Sequence, residues 1–150
     1  MNSLIFFDNE MKINEERGKK MLEIKKYIET GSEKYPVIFS FNVLEEIQDK
    51  YESFDKWSHI IEGEELIGSE WEKKEPKIKD IKYFIKIAIN EGIDLENERT
   101  NGNRKFLNDK QVGRLISEVG VQKISQIIRE VIQTSTLGTT EIESNPEEKN

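Results

Sequence analysis

Hydrophobic residues first alternate and then recur every three or four positions within one stretch, YPVIFSFNVLEEIQDKY, at residues 35–51. The alternation places Val37, Phe39 and Phe41 on one side of a predicted strand. The stretch MLEIKKYI supplies a second strand, across the turn-like segment ETGSEK. The pattern therefore predicts a β-hairpin within residues 21–41.

A helix is predicted directly after this hairpin. Asn42 and Glu45 form an N-x-x-E pattern that resembles a capping box, in which the asparagine side chain accepts a hydrogen bond from the first helical turn. Leu44, Ile47 and Tyr51 then lie on one helical face. The sequence thus predicts a strand that leads straight into a capped helix.

Four further helices are predicted from caps and periodicity. Ser53 caps a short second helix that ends at Gly63, and residues 63–77, which are rich in charge, are predicted to form a loop. The other three helices are expected at residues 76–92, with Pro76 in the first turn and Gly92 past the end, at 108–120, with an N-x-x-Q box at Asn108, and at 121–134.

The fourth and fifth helices each carry one apolar stripe, as surface helices do. The stripes are Val112, Leu115, Ile116 and Val119 in the fourth helix, and Ile124, Ile127, Ile128, Val131 and Ile132 in the fifth. A helix-turn-helix is the alternative interpretation of this pair. It is disfavoured because the second helix carries only two cations, Lys123 and Arg129.

The third helix has two apolar faces. The wide face comprises Ile78, Ile81, Phe84, Ile85, Ala88 and Ile89, whereas Tyr83 and Ile87 pair at i,i+4 on the other side. The helix is therefore either central, with both faces buried, or it offers a patch to a partner. Tyr83 and Ile87 are the candidate partner-binding residues. Trp71 is a third candidate, since aromatic anchors are enriched at interfaces, with a loop staple as its alternative role.

These elements predict a mainly α protein of the α+β class, with an N-terminal β-hairpin followed by about five helices. Residues 1–20 are assigned to an N-terminal extension, and residues 21–136 to a single domain. Residues 137–150 are polar and acidic, and they are predicted to form a flexible tail.

Composition narrows the function classes. The formal net charge of −7 disfavours nucleic-acid binding, which needs clustered Lys and Arg, and no apolar run has the length of a membrane helix. The absence of cysteine excludes disulfides and thiolate metal sites. A cytoplasmic protein is expected.

Few residues suggest catalysis. His59 is the only histidine, and beside Trp57 it is expected to be a partly packed surface residue. No common phosphate-binding motif occurs, and the many carboxylate pairs suit solvated faces. The sequence therefore predicts no catalytic, cofactor-binding or metal-binding residues, and no cofactor.

Three stretches together resemble the tail assembly chaperones of long-tailed bacteriophages and prophages of low-GC Gram-positive bacteria. They are YPVIFSFNVLEEIQDKYESFDKW, DIKYFIKIAINEGIDLENE and LNDKQVGRLISEVG, within residues 21–136. The matching positions include Tyr35-Pro36, Phe39, Phe41, Leu44, Glu46, Tyr51, Glu91-Gly92-Ile93-Asp94, Asn97-Glu98, Leu107, Val112-Gly113-Arg114 and Gly120.

The resemblance implies a protein without enzymatic activity. Such chaperones bind the long tape measure protein and keep it soluble until tail tube subunits assemble around it. They self-associate, act in the host cytoplasm and are absent from the finished virion; contact with the tail tube protein is a further expectation. The alternative function is a small acidic helical regulator or adaptor protein of a mobile element.

Overall fold

The computed structural model describes residues 22–135, and this part of the chain holds two β-hairpins and five α-helices. In chain order the elements are β1 (Lys26–Glu29), β2 (Lys34–Val37), α1 (Phe41–Tyr51), α2 (Phe54–Ile61), β3 (Glu64–Ile67), β4 (Glu70–Lys73), α3 (Ile78–Thr100), α4 (Asp109–Val119) and α5 (Val121–Gln133). The predicted α+β class, with an N-terminal hairpin and five helices, is confirmed. The predicted extension, residues 1–20, and the predicted tail, residues 137–150, lie outside the described residues.

Helix α3 lies at the centre of the core, in contact with β2, α1, α2 and α4. Its fully buried side chains are five of the six in the predicted wide face, together with Ile93 one turn later: Ile81, Phe84, Ile85, Ala88, Ile89 and Ile93. Ile78, which was predicted to belong to this face, is 49% exposed. On the other side, Tyr83 and Ile87 are half-buried and pack against the same core. The helix is therefore central, and its second face is covered only in part.

The apolar stripes of α4 and α5 are confirmed, with Val119 and Ile132 at their partly buried edges. The capping box of α4 is confirmed as well. The Asn108 side chain accepts a hydrogen bond from the Gln111 backbone N–H, and the Gln111 side chain accepts one from the Asn108 N–H, both at 2.8 Å. These features form because capping and helical stripes depend on residues close in sequence.

The first hairpin is antiparallel and ends four residues earlier than predicted. Strand β2 ends at Val37, after which the Ile38 backbone N–H donates a hydrogen bond to the Ala88 carbonyl of α3, at 3.3 Å. The strand alternation therefore stops at this point. Phe39 is buried, but Phe41 begins α1 and is 65% exposed, so the prediction that Phe41 shares one strand face with Val37 and Phe39 is wrong.

The cap of α1 is Ser40 and not Asn42. The Ser40 hydroxyl accepts a hydrogen bond from the Val43 backbone N–H at 3.3 Å. Because the strand ends early, the helix begins two residues closer to the N-terminus than predicted. The predicted cap of α2 is confirmed, since the Ser53 hydroxyl accepts from the Lys56 N–H at 2.9 Å.

Residues 63–77 are not the predicted loop, because most of them form the β3–β4 hairpin. Strands β3 and β4 pair antiparallel around a turn in which Gly68 adopts a φ of 66°. The Lys74 backbone N–H also donates a hydrogen bond to the Gly63 carbonyl and closes the base of the hairpin. The two strands show no alternation of apolar and polar residues that would predict them, because six of their eight side chains are exposed.

Helix α3 continues through Gly92 to Thr100, so the prediction that it ends near Gly92 is wrong. It begins at Ile78, two residues after Pro76, and its C-cap is Asn101 in the left-handed conformation, with a φ of 56°. Gly92 is buried against Pro36 of β2, where an added Cβ would lie 2.9 Å from both the Pro36 Cβ and its carbonyl oxygen. The glycine therefore permits the close approach of helix and hairpin.

We expect Gly92→Ala to destabilise the protein by roughly 1–3 kcal/mol, since overpacking against the Pro36 backbone outweighs the gain in helix propensity. Gly113→Ala is the matched control, because Gly113 also lies inside a helix and an added Cβ would meet only the Lys82 side chain, at 3.4 Å. That change is expected to stabilise by up to about 1 kcal/mol. Urea melts of the two variants check the prediction, and equal effects would contradict it.

Candidate partner-binding site

A groove of about 460 Å³ runs between α1 and α3 and is bounded at one end by the start of α4. We call it the α1–α3 groove. Its apolar lining includes Tyr83 and Ile87 from α3 and Phe106 from the segment that connects α3 to α4. Phe106 is 54% exposed. Two of the three predicted partner-binding residues therefore lie together in one groove.

The groove runs along α3, as the helical spacing of the α3 residues that line it shows. Tyr83, Ile87, Asn90 and Asp94 are separated by four, three and four positions, which places them on one face. At a rise of 1.5 Å per residue, this face is about 16 Å long, or three helical turns. Three turns give room for a short helical segment of a partner.

Tyr83 forms part of the wall between the groove and the core. Its ring packs edge-on against the buried Tyr51, with centroids 6.0 Å apart, and the Lys50 ammonium lies 4.3 Å from its centroid. Burial and the nearby Glu46 carboxylate raise the pKa of Tyr83. The phenol therefore enters the groove as a neutral aromatic group.

Two asparagines of α3 hold the connecting segment in place. The Asn90 amide donates to the Leu107 carbonyl at 3.1 Å and accepts from the Leu107 N–H at 2.9 Å. Asn97 makes the same pair of bonds to Arg104, at 2.9 and 3.0 Å. Asn90 and Asn97 are seven residues apart, which is about 10.5 Å along a helix. Arg104 and Leu107 are three residues apart, which is about 10 Å along an extended chain, so the two spacings match. These bonds fix the backbone next to Phe106.

A third set of hydrogen bonds joins α1 to α3 at the groove. The Glu91 carboxylate accepts from the Ser40 hydroxyl at 2.6 Å and from the Asn42 amide at 3.0 Å. Asn42, predicted as a helix cap, therefore ties the start of α1 to α3 instead. Because both donors are neutral, the negative charge of Glu91 remains.

The charged lining of the groove is mainly acidic. Four carboxylates, from Glu46, Glu91, Asp94 and Asp109, line it beside a single ammonium group, from Lys86. Lys86 lies 3.0 Å from Asp109, and this hydrogen-bonded ion pair lowers the pKa of Asp109. The other three carboxylates have no ion-pair partner within residues 22–135.

Trp71, the third candidate, lies away from the α1–α3 groove, on β4. Its ring stacks on His59 of α2, with centroids 4.1 Å apart and planes 2° from parallel. His59 Nδ1 also contacts the Glu64 carboxylate of β3. The stack thus attaches the second hairpin to α2, and Trp71 lines a separate cleft of about 470 Å³ with Ile60 and Leu66.

One buried polar pair lies behind the groove. The Tyr51 hydroxyl donates a hydrogen bond to the Asp80 carboxylate at 2.8 Å, and both residues are buried. Burial, reinforced by this bond, raises the pKa of Tyr51, so the phenol holds its proton at neutral pH. The pair is therefore suited to positioning the Tyr51 ring beside Tyr83 and not to acid–base chemistry.

Phe106 and Asn90 are groove residues that the sequence did not mark as candidates. Residues 102–108 have no regular secondary structure, so no periodic pattern marks them. One local signal existed. Leu107 precedes the Asn108 cap, and an apolar residue at that position commonly packs against the fourth helical residue, here Val112.

No helix between residues 22 and 135 has the length and apolar character needed to cross a membrane. Within the same residues, no three His, Asp or Glu side chains are grouped so that they could hold a metal ion. Comparison with family models, with curated proteins and with solved structures finds no significant match to this chain.

Proposed function

We propose that the protein is a tail assembly chaperone of a long-tailed bacteriophage or prophage. It binds the tape measure protein in the α1–α3 groove and keeps it soluble while the tail tube assembles, without catalysis and without a cofactor. It acts in the host cytoplasm, self-associates and does not remain in the virion. The observation that carries the proposal is the open groove along α3, with an aromatic and aliphatic lining.

A groove of this kind suits a holding chaperone. Exposed apolar surface with a polar rim is typical of interaction sites, and an amphipathic helix that lays its apolar face into such a groove is a common binding mode. The lining residues Tyr83, Ile87 and Phe106 offer that surface while α3 stays anchored in the core. The formal net charge of −7 favours solubility of the protein when it carries an apolar partner.

Several positions that carry the family resemblance build the groove. Glu91 joins α1 to α3, Asn97 holds the connecting segment, and Leu107 receives the second clamp from Asn90. The resemblance therefore coincides with residues that shape one surface, which supports a shared binding role.

Co-expression with the tape measure protein tests the proposal. The soluble fraction of the tape measure protein is expected to rise strongly with the wild-type chain. Phe106→Ser is expected to weaken binding of the tape measure protein about tenfold and so to lower this soluble fraction, because an aromatic anchor of an interface is lost. Phe106 is exposed, so this substitution leaves the core unchanged.

Ile67→Ser is the matched control. Ile67 is also exposed, at 45%, but it lies at the tip of the second hairpin and outside the groove. This variant is expected to solubilise the tape measure protein as well as the wild type does. If the wild type gives no soluble tape measure protein, the proposed function is wrong, and a regulator or adaptor role takes its place.

A further inference from the structure

We infer that the α1–α3 groove selects a cationic amphipathic helix, that is, a helical segment whose apolar stripe is flanked by Lys or Arg. The assignment of this helix to the tape measure protein rests on the proposed function. The binding chemistry itself follows from the charges and distances in the groove.

Three of the elements that line the groove, α1, α3 and α4, contribute carboxylates to it. Glu46 belongs to α1, Glu91 and Asp94 to α3, and Asp109 to the start of α4. The apolar lining residues are Val43 on α1, Tyr83 and Ile87 on α3, and Phe106 on the connecting segment. A helix that places its apolar stripe on Tyr83 and Ile87 would therefore present its flanking residues to carboxylates on both sides.

No Lys or Arg side chain pairs directly with Glu46, Glu91 or Asp94 in the described chain. Lys50 and Lys82 act on Asp109, whose pKa they help to lower. Glu46 receives only a 3.4 Å hydrogen bond from the Tyr83 hydroxyl, and Asp94 is exposed and has no ion-pair partner in the described chain. Lys86 is already engaged by Asp109. Three negative charges are therefore left for a ligand, so acidic flanks on a bound helix would be repelled.

Lys and Arg suit this groove for a second reason. Their long apolar stems cover hydrophobic surface while their charged ends reach the rim. The three turns of α3 between Tyr83 and Asp94 accommodate about eleven residues of a partner helix. A second copy of this acidic chain is a poorer occupant, because two negatively charged surfaces would meet.

Two labelled peptides of about 18 residues test the inference by fluorescence anisotropy. Both carry the same leucine stripe at i, i+3, i+4 and i+7, and one is flanked by lysine whereas the other is flanked by glutamate. The lysine peptide is expected to bind at least about tenfold more tightly, with an affinity that falls as salt is added. Phe106→Ser is expected to weaken its binding.

The double variant Glu46→Gln/Asp94→Asn isolates the contribution of charge. The double variant is expected to bind the lysine peptide roughly threefold to tenfold less tightly than the wild type does, and to bind the glutamate peptide no less tightly. The control Glu29→Gln/Glu72→Gln removes the same charge from exposed positions outside the groove, and less than about a twofold change is expected.

Equal affinity for the two peptides, or equal effects of the two double variants, would overturn the inference. So would sedimentation data in which Phe106→Ser dissociates an oligomer of the free chain, because a second copy would then fill the groove. The two proposals fail separately. Binding of the lysine peptide without solubilisation of the tape measure protein refutes only the proposed function, and solubilisation that is insensitive to Glu46→Gln/Asp94→Asn refutes only this inference.

Discussion

Phe39→Ala is expected to lower the free energy of unfolding by about 3–5 kcal/mol, the usual cost of truncating a buried phenylalanine. The Phe39 side chain is only 3% exposed. Its ring centroid lies 5.8 Å from that of Phe54, 5.8 Å from that of Phe84 and 6.2 Å from that of Trp57. Removal of the ring would leave a cavity where α2, α3 and the end of the first hairpin meet.

Phe41→Ala is the matched control, two residues along the chain. Because Phe41 is 65% exposed, its truncation is expected to change stability by less than about 0.5 kcal/mol. Urea denaturation followed by tryptophan fluorescence measures both variants, since Trp57 lies beside Phe39. A larger loss of unfolding free energy for Phe41→Ala than for Phe39→Ala would support the strand alternation that the sequence predicted and would contradict the structure.

Tyr51→Phe is expected to destabilise the protein by about 1.5–3 kcal/mol. The change removes the hydroxyl that donates to Asp80 at 2.8 Å and leaves a buried carboxylate without this bond. Tyr83→Phe is the control, because its hydroxyl makes only 3.4 Å hydrogen bonds, to Glu46 at an exposed position, and it is expected to have little effect. Denaturant melts near pH 7 compare the two, and equal losses would rule out a special role for the Tyr51–Asp80 pair.

The same pair predicts a pH dependence at the alkaline end. Burial raises the pKa of Tyr51 in the folded protein above its ordinary value of 10.0. The stability contributed by the protonated phenol is therefore complete below pH 10.0 and is lost as the pH rises above it. The unfolding midpoint of the wild type should fall more steeply above pH 10.0 than that of Tyr51→Phe, and parallel profiles would contradict the prediction.

The candidate site was predictable only in part. Tyr83 and Ile87 stood out because their i,i+4 spacing gives α3 a second apolar face, a signal contained within five residues. Phe106 carried no such signal, since its position depends on the bonds between Asn90 and Leu107, seventeen residues apart. Trp71 was predicted as a candidate because it is an aromatic residue in a charged segment, but its stacking on His59 required the unpredicted second hairpin.

The sequence alone determined the features that depend on near neighbours in the chain. The Ser53 and Asn108 caps and the stripes of α4 and α5 involve residues three or four positions apart, so local hydrogen bonds and helical periodicity suffice to specify them. The first hairpin belongs to the same class, because its strands are joined by a short turn.

Only the tertiary structure decided where these elements end and what they form together. Helix α3 continues through Gly92, which packs against Pro36, fifty-six residues earlier. Phe41 is exposed because the chain leaves β2 at Ile38, whose N–H donates a hydrogen bond to the Ala88 carbonyl. The α1–α3 groove likewise needs α1, α3 and the connecting segment in one place. Such contacts are specified by the packing of distant residues, which no local pattern encodes.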